Sequence, residues 1–460
     1  MSNYQTPGIY IEEKSVLPPS IAGASTAIPA FIGVVAKNLS NKRATRITTL
    51  EEYIALFGTV STADKQFVVT LSDDNKEIAS ITPPTLSSSS PMYNNIRFYF
   101  DNGGGPCYIV PVEKDSDSYN LASYTDALDV LSTESEPTLI IPVADKLAVS
   151  DYHSLVVKVL EQCNKMQDRF GIFDLVSEER DTEDNPIIST LDKAENFRGG
   201  VSASKDVLKY GAVYYPALKT QYGYEIDDSQ ISVTYKDESG ADTTHMLDAA
   251  DISDEVKNLI QREVKTYRLT LPVSSAMAGV YAKVDNERGV WKAPANVALN
   301  YVTEPEIKVT NEENGLLNID AETGKSINVI RDFGTRGNLV WGARTLAGND
   351  NEWRYVPVRR LFNYVEESIN NATNYAVFEP NDAMLWLKLK SSAVSFLTDL
   401  WQQGALAGSS ADQAFFVQVG LGQTMTQQDV LEGRCIIKIG LAAVRPAEFI
   451  IMKFTHHIQQ

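Results

Sequence analysis

The chain has 460 residues, 43% of them hydrophobic and 9% aromatic, which is enough to bury more than one core and rules out a disordered polymer. Lys and Arg number 41 against 60 Asp and Glu, a formal charge of −19 at a sequence pI of 4.7. That balance repels phosphate backbones, and with no basic stripe carrying interleaved aromatics it excludes a nucleic-acid binder.

No apolar run approaches the roughly 20 residues of a membrane span, so direct membrane insertion is not expected. The first residues lack the basic segment and apolar stretch of a signal peptide, which predicts a chain made and kept folded in a cytoplasm. Cys107, Cys163 and Cys435 are far apart, without a CxxC pair or a nearby His at ligand spacing. They read as buried free thiols, neither a disulfide framework nor a zinc site.

The first element in chain order is the run "GIYI", bounded by Pro7 and by Pro18-Pro19. Its β-branched and aromatic residues predict a strand on a tether, residues 1–25 forming an N-terminal arm. Ala30 to Ala36 reads as a buried strand. "TLEEYIALFG" reads as a short helix with Thr49 as N-cap and Gly58 as stop. Residues 59–92, rich in Ser, Thr, Asp and Pro, read as a surface loop or small insertion. "NIRFYF" and "CYIVPV", flanking "DNGGGP", read as two strands across a glycine turn.

Ser118 to Ser132 and Tyr152 to Met166 have helical spacing, while "PTLIIPVA" and "RFGIFDLV" read as buried strands. This alternation predicts a mixed sheet with covering helices over residues 30–217. Residues 220–270, with a hairpin-like segment and the charged stretch "DISDEVKNLIQREV", read as an inserted subdomain. "NVIRDFGTRGNLVWGARTL" predicts paired strands around Gly334 and Gly337. Val358, Leu361, Phe362, Val365 and Ile369 mark one helix, and a longer one runs from near Asn381 to Gln403. "CIIKIGLAAV" and "EFIIMKFTHHI" close the described pattern as strand-like runs; no solenoid-type repeat is present.

The candidate chemistry is sparse. "DNGGGP" has the glycines of a phosphate loop, but Pro106 and Cys107 stand where Lys and Ser or Thr are required, so a turn is expected. His456 and His457 are adjacent and would point to opposite faces of a strand, while His153 and His245 lie in separate contexts. The acids of "SEERDTEDN" lack EF-hand spacing, and no GxSxG is present. A non-enzyme without cofactor or metal is expected, the rival being an α/β hydrolase with dispersed catalytic residues.

The long helix carries more information. Trp386, Leu389, Ala393, Phe396 and Leu400 form one apolar stripe and Leu387, Val394, Leu397 and Trp401 a neighbouring one, with Lys388 and Lys390 beside them. The helix either is buried in its own domain or also presents a face to a partner. At the two ends of the pattern, the strand around Ile9, Tyr10 and Ile11 and the run Phe449, Ile450, Ile451 and Met452 carry little gatekeeping charge. They predict strand exchange between subunits, with pairing inside one chain as the alternative.

The phrases "TPGIYIEE", "DNGGGPCYIVPV", "AGVYAKVDNERGVWKAPAN", "INVIRDFGTRGNLVWGARTL", "WRYVPVRRLFNYVEESI" and "RPAEFI", in this order, resemble the tail sheath protein of contractile phage tails and related injection systems. The resemblance implies a structural subunit assembled in stacked hexameric rings around an inner tube, with baseplate and terminal cap proteins as further partners and sheath paralogues in the same particle. It implies contraction that drives the tube through a target envelope, and a woven mesh of shared termini, the role given to Ile9, Tyr10, Ile11 and Phe449 to Met452. It also implies an outer α/β region over 26–330, with insertions at about 59–92 and 220–270, and an inner α+β domain over 331–460 completed by exchanged strands. The Asn381 to Gln403 helix is then the tube-facing element, with Lys388 and Lys390 against an acidic tube. Assembly would take place in a bacterial cytoplasm. An extracellular phage-tail-like particle ranks ahead of a phage tail and of a type VI apparatus, and a tube or baseplate component is disfavoured by the long helix.

Overall fold

A computed structural model describes residues 21–37, 43–59, 67–84, 91–114, 120–144, 147–179, 189–224, 226–237, 240–249 and 252–452. The chain divides into two units: a smaller one of residues 1–24 and 365–444, and a larger one of residues 25–364 and 445–460. The sequence reading placed its inner domain from residue 331; the division instead falls at Val365, because the strands around residues 327–340 belong to the large sheet.

In chain order the larger unit begins with β1 (Pro29–Val35), β2 (Thr45–Ile47) and α1 (Leu50–Phe57). β3 (Phe67–Leu71), β4 (Ile78–Thr82), α2 (Pro91–Asp101), β5 (Cys107–Lys114), α3 (Leu121–Leu131), β6 (Leu139–Val143), α4 (Val149–Met166) and β7 (Phe170–Asp174) follow. Next come α5 (Thr190–Gly200), α6 (Lys205–Leu208), β8 (Gly211–Tyr215), β9 (Leu218–Gly223), β10 (Ile231–Lys236), β11 (Asp242–Met246), α7 (Asp254–Val264) and β12 (Arg268–Leu271). The unit continues through α8 (Ser274–Arg288), β13 (Val302–Pro305), α9 (Asn311–Asn318), β14 (Ile327–Asp332) and β15 (Asn338–Val340). Helix α10 (Val356–Thr373) carries the chain into the smaller unit, which holds α11 (Ala383–Gln402), α12 (Ala411–Ala414), β16 (Phe415–Val419), α13 (Gln427–Leu431) and β17 (Ile437–Leu441).

The larger unit is built on an eight-stranded sheet of order β15-β14-β8-β7-β6-β1-β5-β2. The strands from β14 to β5 in that order are parallel, and β15 and β2 flank them antiparallel. Every residue of β1, β6 and β8 is buried, as expected of parallel strands covered on both faces. One face packs under α1, α2 and α8, the other under α3, α4, α5 and α9.

Three local features follow directly from residue chemistry. Thr49 caps α1 by accepting the Glu52 N–H at 3.2 Å, and Gly58 ends it at φ +83°. Gly279 lets α8 approach α2, since a Cβ there would stand 2.6 Å from the Tyr99 carbonyl oxygen. The "DNGGGP" turn is closed by Tyr99, whose hydroxyl accepts the Gly105 N–H at 3.0 Å.

One expectation is corrected in this unit, and another, that of a loop or small insertion, is narrowed. "NIRFYF" is not a strand but the second half of α2, a helix whose Met92, Tyr93, Ile96, Phe98 and Tyr99 are all buried. The order Asn95-Ile96-Arg97-Phe98 alternates polar and apolar residues as a strand would, although Asn95 is buried in the helix. Residues 59–92 are not merely a loop, because β3 and β4 lie in a four-stranded sheet of order β11-β10-β3-β4 with the 220–270 segment. β3 runs parallel to β10, and α7 packs its Ile260 and Val264 onto the same small core.

The smaller unit is modest. β16 and β17 form an antiparallel pair, and α11 packs on β16. Asp382 caps α11 by accepting the Leu385 N–H at 2.9 Å.

Candidate functional site

In an open parallel sheet, ligands bind beyond the carboxyl ends of the strands. At that position the larger unit has a cavity of about 210 Å³ lined by residues including Asn95, Tyr152, Asp174, Tyr215 and Ser274. Its one carboxylate is committed to structure. Asp174 accepts the backbone N–H of Val273 at 2.7 Å and of Ser274 at 2.9 Å, and the Ser274 hydroxyl, so it binds β7 to the first turn of α8. Burial pushes its pKa up to about 6, against the hydrogen bonds from Ser274 and Val273.

The histidines are likewise engaged. His153 is buried with Nε2 2.8 Å from the Val176 carbonyl, and His245 Nδ1 lies 3.1 Å from the Tyr235 hydroxyl. His456 and His457 lie outside the described residues. Cys107 and Cys163 are buried as free thiols, whereas Cys435 is exposed, a correction to the expectation for all three. Among the described residues no group of three or more His, Cys, Asp or Glu could hold a metal ion, and no helix is long and apolar enough to cross a membrane.

Helix α11 separates the predicted partner-facing residues into two sets. Leu389, Ala393, Phe396 and Leu400 of the expected contact stripe are buried in this chain. Leu397 is buried with them, and Trp386 is half-buried with its indole N–H donating to Asn381 Oδ1 at 2.7 Å. Leu387, Lys388 and Lys390 of those residues are exposed, and Met384, which the sequence reading did not single out, is exposed beside them in the N-terminal half of the helix. The 3.6-residue period marked the stripe, but only the position of β16 decides which side of it is covered.

The β16–β17 pair has the alternation of a half-covered sheet: Phe415, Val417 and Val419 are buried, and Phe416 is exposed. A two-stranded sheet has an unpaired edge on each side, a template for another strand.

The C-terminal segment belongs to the larger unit. Phe449, Ile450, Ile451 and Met452 are consecutive and 65%, 77%, 81% and 73% exposed. They form no strand among the described residues, although the sequence reads as one. Glu448, immediately before them, is held by Arg344 Nη2 at 2.7 Å, Asn318 Nδ2 at 2.7 Å and the Tyr355 hydroxyl at 2.9 Å. The phrase "RPAEFI" contains this residue, but its role was not legible, because its partners come from three separate stretches of chain. Ile9, Tyr10 and Ile11 lie outside the described residues.

Comparison with known proteins places these features in a class, the structural proteins of contractile tails. Residues 348–456 match the family model of the phage tail sheath C-terminal domain. A tail sheath protein of Vibrio phage KVP40 is 27% identical over 139 residues, 30% of this chain and 20% of its own length. A putative prophage major tail sheath protein of Pseudomonas aeruginosa is 28% identical over 138 residues, 29% of this chain and 34% of its own. This chain thus spans a fifth to a third of the curated relatives that it matches.

Solved structures extend the match to the whole chain. The sheath complex of an extracellular contractile injection system, PVC, in its contracted state is 33% identical with a TM-score of 0.68, covering 100% of this chain and 99% of that one. The contracted helical sheath of the anti-feeding prophage is 34% identical with a TM-score of 0.65, covering 98% and 99%. The chain belongs to the tail sheath family of contractile phage tails and contractile injection systems.

Proposed function

We propose that the protein is the contractile sheath subunit of an extracellular, phage-tail-like injection particle. It polymerises as a helical stack of hexameric rings around an inner tube, and its contraction drives that tube through a target envelope. The observation that carries this reading is end-to-end similarity, at a third of positions, to the PVC sheath complex in its contracted state. A baseplate and a terminal cap complete the partner set, and the acidic surface charge argues against nucleic acid.

Strand exchange joins the copies in this reading. The run Phe449 to Met452 is apolar and exposed, which is unfavourable in water unless another chain covers it. The β16–β17 edge offers the complementary hydrogen-bonding groups, and Ile9, Tyr10 and Ile11 would supply a second donor. Met384, Leu387 and Lys388 form the face of α11 offered to the tube, with Lys390 on the opposite flank of the exposed arc. Contraction then needs no nucleotide, because two packings of the same subunits differ in free energy.

Negative-stain electron microscopy of the purified full-length protein tests the assembly. Hollow cylinders with a helical surface are expected. Deleting residues 1–14, or the double substitution Ile450→Lys and Met452→Lys, should leave a folded subunit that forms no long polymers. Normal cylinders from either variant would refute exchange at that terminus. Cylinders with no affinity for a co-expressed tube protein would count against the injection role.

A further inference from the structure

Glu448 stands at the junction between a held segment and a free one. Its carboxylate accepts both Nε and Nη2 of Arg344, at 2.9 and 2.7 Å, together with Asn318 and Tyr355. The Arg344 side chain is only 3% exposed. Its Nη1 donates to the Gly348 carbonyl at 3.3 Å, and its backbone N–H donates to Asn328 Oδ1 at 2.8 Å. Asn328 in turn donates to the Val213 carbonyl in β8 at 3.1 Å, so the cluster is tied to the centre of the large sheet. The next four residues, Phe449 to Met452, are exposed.

We propose that Asn318, Arg344, Tyr355 and Glu448 form a clasp that fixes the origin of the C-terminal arm on the larger unit, so that the segment available to another copy of the chain starts at Phe449. This rests on the reading that Phe449 to Met452 pair with another copy. The chain leaves the smaller unit after Val444. Without the clasp the arm would swing from there, and residues 445–448 would add up to about 14 Å of reach at the extended rise of ~3.5 Å per residue. A fixed origin and a shorter tether raise the effective concentration of the arm at one acceptor site and lower it at others. The clasp also makes the arm move with the larger unit, so that a strand received by a neighbour reports the position of the donor's α/β sheet.

A bidentate pair on a buried arginine could serve stability alone, and the position of an insertion separates that role from the clasp. A Gly-Ser-Gly-Ser insertion between Val444 and Arg445 lies ahead of the clasp, and the same insertion between Glu448 and Phe449 lies behind it. Both are made in the full-length chain and in a Glu448→Gln background, with folding followed by circular dichroism and assembly by sedimentation and electron microscopy. The insertion ahead of the clasp is expected to change the polymerised fraction by less than about twofold, as for a lengthened surface loop. The insertion behind it should lower that fraction about tenfold through loss of register and effective concentration. In Glu448→Gln the two positions should become equivalent. Equal effects of the two insertions in the wild-type background, whether large or absent, would overturn the clasp. Failure of the underlying reading looks different, since Ile450→Lys with Met452→Lys would then polymerise normally. If Glu448→Gln unfolds, Tyr355→Phe supplies the milder break, and faster hydrogen exchange across residues 445–452 is the expected result; unchanged exchange would count against the clasp.

Discussion

The large sheet and the β16–β17 pair treat their edges in opposite ways. The eight-stranded sheet is covered by helices on both faces and ends in β2 and β15, each of three residues and antiparallel to its neighbour. Such short, turned edges give an incoming strand little to pair with. The β16–β17 pair has α11 against β16 and leaves unpaired edges, although two strands alone are marginal in water. One unit thus closes its own edges, while the other presents edges to which, in the proposed reading, further copies would add strands.

That contrast can be broken most severely from inside the larger unit. Arg360 and Asp285 form a pair at 2.5 Å with side chains 3% and 2% exposed. Asp285→Ala strands a buried guanidinium and should cost about 3–5 kcal/mol, read as a lower denaturant midpoint in the isolated subunit. Leu397→Ala removes a fully buried side chain from the smaller unit. It should cost about 3 kcal/mol in the free subunit, and less of that loss should be visible in assembled cylinders if neighbours stabilise this unit.

The Glu448 clasp gives a weaker, pH-dependent handle. Partial burial favours the neutral carboxyl, but hydrogen bonds from Arg344 and Asn318 and the Arg344 charge outweigh it and lower the pKa. Arg344 and Tyr355 face the group, and Lys292 lines the same cavity. A lowered folded pKa means that the contribution is complete above the ordinary glutamate value and is lost as pH falls through the lowered one. Hydrogen exchange over residues 445–452 should therefore rise in that acid window in the wild type, with the step absent in Glu448→Gln. The smallest effect on folding is expected at Leu387, which is 63% exposed. Leu387→Gln should change stability by less than about 0.5 kcal/mol, yet reduce tube co-sedimentation if this face of α11 meets the tube.

Elements with a clear period and explicit ends were legible in the sequence. α1 between Thr49 and Gly58, the alternation from β5 through β7, and α11 all lie where residue spacing places them. α2 was not, because Asn95 and Arg97 alternate with Ile96 and Phe98 at the period of a strand, and Asn94 and Asn95 are polar residues buried between β1, α1 and α8. β3 carried a usable signal in Phe67, Val69 and Leu71, whose alternating burial was masked by the Ser and Thr around it. The family was legible in the ordered phrases, but not the split within α11's apolar surface. That split depends on where β16 lies, and Glu448 depends on Asn318, Arg344 and Tyr355 meeting across the chain.

The small sheet β11-β10-β3-β4 joins stretches of chain that are 161 residues apart at the paired Asn75 and Lys236, where the Asn75 amide bonds both the carbonyl and the N–H of Lys236. For a protein engineer, this makes the two stretches a single graft. A chimera that imports residues 67–82 from a relative without residues 231–264 would present β10 with a foreign neighbour and leave Ile231 and Val233 poorly covered. Recombination in nature faces the same constraint, so length changes in the two stretches should be inherited together.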